Sequence, residues 1–144
     1  PSPAPLLVED AMTPDPPRAR ADESVAVAVV RMRRGLFRHL PVVDGSGVLR
    51  GLVSSRELAR AEKRLGTGDV RIGELVPPRP PRIRPDECLH CAALRMRQER
   101  LGCLAVVDAS GKLVGLLTEA DFVRLVATTL APSCAALPQR SKAG

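Results

Sequence analysis

The chain has 144 residues, a formal charge of +6, 44% hydrophobic residues, four cysteines and neither Trp nor Tyr. That length suits one compact domain, and no apolar run approaches the roughly 20 residues that span a bilayer, so no membrane span is expected. The positive balance, mostly Arg, favours anionic partners, but with Phe37 and Phe122 as the only aromatics a base-stacking nucleic-acid surface is not expected.

The chain opens on Pro1 rather than a methionine, so it reads as trimmed or as a piece of a longer protein. Without a charged n-region and an apolar h-region, and with cysteines in no regular framework, the expected compartment is a reducing cytoplasm. Residues 1–7 are Pro-rich and 131–144 lack periodicity, so both are expected to be flexible.

A short extended segment is predicted over Pro17–Arg20. Val25, Ala28, Val29 and Met32 then fall at i, i+3, i+4 and i+7, the stripe of an amphipathic helix with Asp22 at its predicted N-cap. Leu40–Val43, the Gly-rich turn Asp44–Gly47 and Val48–Val53 read as a hairpin, followed by a helix from about Ser55 to Arg64. Gly66-Thr67-Gly68 closes this unit.

Everything then recurs at a constant offset of 64 residues, Pro16 meeting Pro80 and Asp44 meeting Asp108 without a gap. An extended segment is predicted over Pro81–Arg84, with Asp86 as the next N-cap. Leu89, Ala92, Ala93 and Met96 repeat the helical stripe, Cys103–Val107 and Leu113–Leu117 the hairpin, and Glu119–Leu130 the closing helix. Each copy is strand, helix, strand, strand, helix, with boundaries at 8–65 and 66–130. A three-stranded sheet covered on one side keeps a bare apolar face, so the two are expected to pack sheet to sheet about a pseudo-twofold axis, leaving two equivalent clefts in an α+β fold.

Repeat length, element order and the segments Ala11-Met12-Thr13, Arg38-His39-Leu40-Pro41-Val42-Val43-Asp44 and Gly115-Leu116-Leu117-Thr118-Glu119-Ala120-Asp121-Phe122 together resemble a tandem pair of cystathionine beta-synthase (CBS) domains, a Bateman module, over about Val8 to Val126. In that family G-h-h-T/S-x-x-D/N often marks an adenine-nucleotide site, and Gly115, Thr118 and Asp121 fit it. The chemistry is direct: a carboxylate accepts from both ribose hydroxyls, while a Thr hydroxyl and a helix N-terminus meet phosphate. The same spacing is also a capping box that needs no ligand, and both readings stay open here.

The first copy carries Ser54, Arg56 and Glu57 in the corresponding turn; Glu57 replaces the Asp and Arg56 offers a phosphate partner, so the Asp121 cleft ranks first. By resemblance the purine slot is lined by Val76, Pro77, Pro81, Cys103 and Leu104 in the second cleft, and by Thr13, Pro17, His39 and Leu40, with Met12, in the first. Arg18, Arg20, Arg82 and Arg84 are duplicated on the short strands, where solvated positions are the more frequent explanation than phosphate clamps.

Cys88-Leu89-His90-Cys91 has metal or redox spacing, but it aligns with Ser24 and Val27 on an ordinary helix and no second pair completes a tetrahedral site. No nucleophile with an acidic partner attends His39, and no Walker or G-x-G-x-x-G loop occurs. The resemblance therefore implies a non-enzymatic regulatory module, without resident cofactor or metal. It would bind an adenosine-containing small molecule such as AMP, ADP, ATP or S-adenosylmethionine, form a homodimer and signal to an effector protein or domain. The alternative is a ligand-free dimerisation or interaction scaffold.

Overall fold

A computed structural model of the chain describes residues 4–35, 37–65 and 70–130. The predicted Gly66-Thr67-Gly68 link and the 131–144 tail lie outside the described residues. In chain order the elements are α1 (Val8–Ala11), β1 (Thr13–Pro14), β2 (Ala19–Arg20), α2 (Val25–Gly35), β3 (His39–Val43), β4 (Leu49–Ser54) and α3 (Ser55–Leu65). A 3-10 turn (Ile72–Glu74) follows, then β5 (Arg82–Ile83), α4 (Leu89–Glu99), β6 (Cys103–Val107), β7 (Leu113–Thr118) and α5 (Glu119–Thr129).

Each half has the β-α-β-β-α order that the repeat implies. In the first, β2 runs parallel to β3 and β3 antiparallel to β4; in the second, β5 runs parallel to β6 and β6 antiparallel to β7. The helical stripes face inward: Val25, Ala28, Val29 and Met32 of α2 are buried, as are Leu89, Ala92 and Met96 of α4. Leu40, Val42 and Val53 meet α2 in one core, and Leu104, Val106 and Leu117 meet α4 in the other.

The two predicted Asp caps are corrected. Each Asp lies two residues before the true cap, and the acid between them closes the turn that precedes the helix: Glu23 accepts the Arg20 N–H at 3.0 Å and Glu87 the Arg84 N–H at 2.6 Å. The cap position falls on Ser24, whose hydroxyl accepts the Val27 N–H at 3.3 Å, and on Cys88 in the second half.

Hairpin tips hold the halves together. Gly47 and Gly111 adopt φ of 87° and 85°, a left-handed turn that glycine enters without a Cβ clash. Asp44 and Asp108 close the two turns by accepting N–H groups from Ser46 and Ser110 at 2.8 and 2.9 Å. Leu49 N–H donates to Gly111 O and Leu113 N–H to Gly47 O, both at 3.0 Å, and Val48 bridges Lys112. The 64-residue offset carries each of these contacts into the other, so the pseudo-twofold axis passes between Val48 and Lys112. Val43, Leu49, Ala105, Val107 and Leu113 form the apolar seam where sheet meets sheet.

The segment leading into each repeat folds onto the other repeat. β1 adds to the edge of the second sheet, antiparallel to β7 with Thr13 opposite Leu116, making that sheet four-stranded in the order β1-β7-β6-β5. Val8 N–H donates to Glu87 O at 2.9 Å, and its side chain, with none of its surface exposed, sits in the second core. Conversely Ile72 N–H donates to Glu23 O at 2.8 Å and Ile72, equally buried, closes the first core with Leu75 and Val76. Burying an aliphatic side chain of this size contributes about 1.5–3 kcal/mol, so each repeat depends on its neighbour's leading segment.

Candidate functional site

The best-formed polar constellation lies where β7 passes into α5. Thr118 is the N-cap of α5; its hydroxyl accepts the Asp121 N–H at 3.4 Å, while Asp121 Oδ2 accepts the Thr118 N–H at 2.8 Å. This is a capping box, in which two orphan amides of the first turn are satisfied reciprocally. Asp121 nevertheless differs from an ordinary cap, being only 2% exposed and the only buried charged residue among those described.

Burial of a carboxylate requires partners on both oxygens. Asp121 Oδ1 accepts the Thr13 hydroxyl at 2.9 Å and Arg124 Nη2 at 2.6 Å, and Oδ2 also lies 3.2 Å from the Thr118 hydroxyl. Arg124 reaches back from one turn along α5 and also donates to Ala11 O at 3.4 Å. Thr13 comes from the far end of the chain, 108 residues away, because β1 lies on β7. Gly115 permits that approach: a Cβ there would stand 2.5 Å from Met12 Sδ and 3.2 Å from Thr13 O.

The first repeat has the same turn without the burial. Ser54 N–H donates to Glu57 Oε1 at 3.2 Å and Glu57 N–H to Ser54 Oγ at 3.1 Å, a second capping box, but Glu57 is exposed and neighbouring Arg56 projects into solvent. Val76 takes the place of Met12, packed over Gly51, and Pro77 supplies no hydroxyl where Thr13 does.

Sequence-derived site residues are therefore regrouped. Thr13, assigned to the first cleft, joins Thr118 and Asp121 in the second; Val76, assigned to the second with the Pro77 that follows it, packs on the first sheet. The reason is the exchange of leading segments. Leu40 and Leu104, both without exposed surface, point into the helix-facing cores and not toward a cleft. Pro81 adjoins β6, its carbonyl accepting the Ala105 N–H at 3.3 Å, whereas Pro17 is exposed.

His39 and Cys103 are equivalent in the repeat, and His39 reaches across to the second half beside Gly102, the residue before Cys103. The His39 ring lies 3.4 Å from where a Cβ would stand on Gly102. Burial, reinforced by the Arg38 charge, lowers the His39 pKa from its ordinary value, and Glu119 and Glu57 pull partly against it. Burial, with the Glu57 charge, pushes the Cys103 thiol up to about 12. The predicted list lacked Arg124; its i+3 spacing from Asp121 was the available signal.

The CBS domain family model matches residues 8–64 and again 72–128. The chain belongs to the CBS domain family, as a tandem pair. It is 31% identical to CBSX2 in a crystal structure with AMP, with a TM-score of 0.77 over 85% of this chain and 96% of that one. The CBS domain pair of protein MJ0100, in complex with 5-methylthioadenosine and S-adenosyl-L-methionine, is 26% identical with a TM-score of 0.75 over 88% of this chain and 100% of that one. Among curated proteins, homoserine O-acetyltransferase of Methanocorpusculum labreanum is 34% identical over 115 residues, 79% of this chain and 23% of that protein. The pair thus spans about a quarter of that curated relative. No described helix is long and apolar enough to cross a membrane.

Proposed function

We propose that this CBS pair is a regulatory sensor of an adenosine-containing molecule of the AMP, ADP, ATP or S-adenosylmethionine class, bound in the Thr118–Asp121 cleft. The observation that carries the reading is the buried Asp121 carboxylate, held by Thr13 from one end of the chain and Thr118 from the other. Similar pairs in complex with AMP and with S-adenosyl-L-methionine support it.

The four acceptor directions of the carboxylate are engaged in the free protein, so ribose hydroxyls would displace the Thr13 hydroxyl and the Arg124 guanidinium. Arg124, 60% exposed, is free to swing toward a phosphate, and releasing Thr13 loosens β1 from β7. Ligand differential affinity for the two arrangements is the output; the module itself performs no chemistry and holds no resident cofactor. Exposed Val123, Val126 and Leu130 on and just beyond α5 support a homodimer through the helices, in the cytoplasm, with an effector protein or domain reading the change.

One observation favours the second reading, a ligand-free interaction scaffold: Asp121 already has protein partners on both oxygens. Calorimetric titration with AMP, ADP, ATP and S-adenosylmethionine separates the two. Saturable binding weakened at least roughly tenfold by Asp121→Asn, which keeps side-chain size, supports the sensor; no heat with any of the four, with Val123→Asp dissociating a dimer, establishes the scaffold.

A further inference from the structure

A cavity of about 590 Å³ opens at the hairpin end of the first sheet, away from both capping-box turns, and four of its lining residues are Arg50, Arg71, Arg79 and Arg82. Its volume falls within the roughly 300–1,000 Å³ of small-molecule sites. Leu49 and Val76 contribute an apolar wall, and Glu74 is the sole carboxylate among the described residues of the lining. That carboxylate is engaged, accepting the Arg71 N–H at 2.9 Å.

The repeat supplies an internal control for what these arginines do. Arg79 and Asp15 are equivalent under the 64-residue offset and both adopt a left-handed backbone, φ 58° and 46°, so the chain presents the two side chains at matching places. In the other half, Arg18, the counterpart of Arg82, is neutralised by Asp15 at 2.6 Å. Here Arg79 stands in place of that acid. Arg50 and Arg71 likewise replace Val114 and Leu7.

Among the described residues none of the four forms an ion pair. Arg71 is anchored through Asp22 O at 2.9 Å, and Arg82 is half-buried with its Nε 3.5 Å from Pro80 O, while Arg50 and Arg79 make no side-chain hydrogen bond among the described residues. Like charges gathered around one concavity repel unless an anion enters, and forked guanidinium donors match phosphate oxygens.

We infer that this cavity is an anion site for a small molecule carrying a di- or triphosphate, separate from the Thr118–Asp121 turn and independent of the nucleotide reading above. The pseudo-equivalent surface, with Glu9, Asp10 and Asp15, has the opposite sign and would not bind it.

The test is calorimetric titration of the whole chain with inorganic pyrophosphate and tripolyphosphate at low and at about 0.15 M salt, on wild type, Arg79→Asp, Arg50→Val and Asp121→Asn. Arg79→Asp and Arg50→Val install the residues that the other repeat carries, on exposed positions, so both variants are expected to fold. Expected are one-site binding and a loss of roughly tenfold or more in each Arg variant, with Asp121→Asn unchanged. Wild-type affinity in both Arg variants, or no binding at low salt, overturns the inference. So does salt-sensitive self-association abolished by Arg79→Asp without any polyphosphate heat, which would assign the cavity to head-to-tail contact with the acidic surface of a second copy.

Discussion

Replacing Asp121 by alanine removes three kinds of partner at once, and the equivalent change at Glu57 removes one. At Asp121 the change deletes the acceptor of the Thr118 N–H, a capping contribution of about 1 kcal/mol. It also deletes the acceptor of the Thr13 hydroxyl, a bond to a charged group of about 1.5–3 kcal/mol. The Arg124 pair adds only about 0–1 kcal/mol because its guanidinium is largely solvated. Asp121→Ala should therefore cost about 3 kcal/mol. Glu57→Ala, where an exposed carboxylate caps alone, should cost about 1 kcal/mol or less.

Urea denaturation followed by far-ultraviolet circular dichroism measures both, since the chain has no Trp or Tyr for fluorescence. On a chain of this size the corresponding melting-temperature losses are about 10 and 3 °C. A Thr13→Val, Asp121→Ala double-mutant cycle should return a coupling of about 1 kcal/mol or more. Equal costs at Asp121 and Glu57, or zero coupling to Thr13, would refute the claim that the buried carboxylate ties β1 to α5.

Gly51→Ala should destabilise by about 1–3 kcal/mol, because its Cβ would collide with the branched Val76 side chain; a thermal melt within 1 °C of wild type would deny that approach. His39 should make the fold acid-sensitive, since its folded pKa is lowered and the unfolded imidazole titrates near 6.5. Stability is then complete above about pH 7 and falls as pH drops from about 6.5 toward the folded value; His39→Gln should flatten melting temperature between pH 7 and 5.5, and an unchanged slope would contradict it. Iodoacetamide mapping at pH 8 should label Cys88 before Cys103, because amide and thiol hydrogen bonds from Cys91 lower the Cys88 pKa while burial pushes Cys103 up to about 12. Early labelling of Cys103 would show that the seam around it opens readily.

Local pattern was enough for much of this architecture. The 3.6-residue spacing of Val25, Val29 and Met32 and of Leu89, Ala92 and Met96 identified the buried stripes, since a helix repeats its face whatever it packs against. The Asp-x-Ser-Gly turns marked both hairpins because their glycines must take a left-handed backbone. Gly115, Thr118 and Asp121 were legible as a turn motif for the same reason: a cap is made by residues three apart. Even the N-cap errors at Asp22 and Asp86 were small, the closing acid and the capping residue being neighbours in one turn.

Tertiary structure alone decided which sheet each leading segment joins. Val8 and Ile72 carry the same apolar signal, and nothing in a short amphipathic stretch says which of two near-identical cores it will fill. That choice moved Thr13 to Asp121 and Val76 to Gly51, across more than a hundred residues in the first case. It also determined that Asp121 is dry and saturated while Glu57 is wet. Burial and partner count belong to the assembled surface, whereas helix faces and turns belong to the chain that forms them.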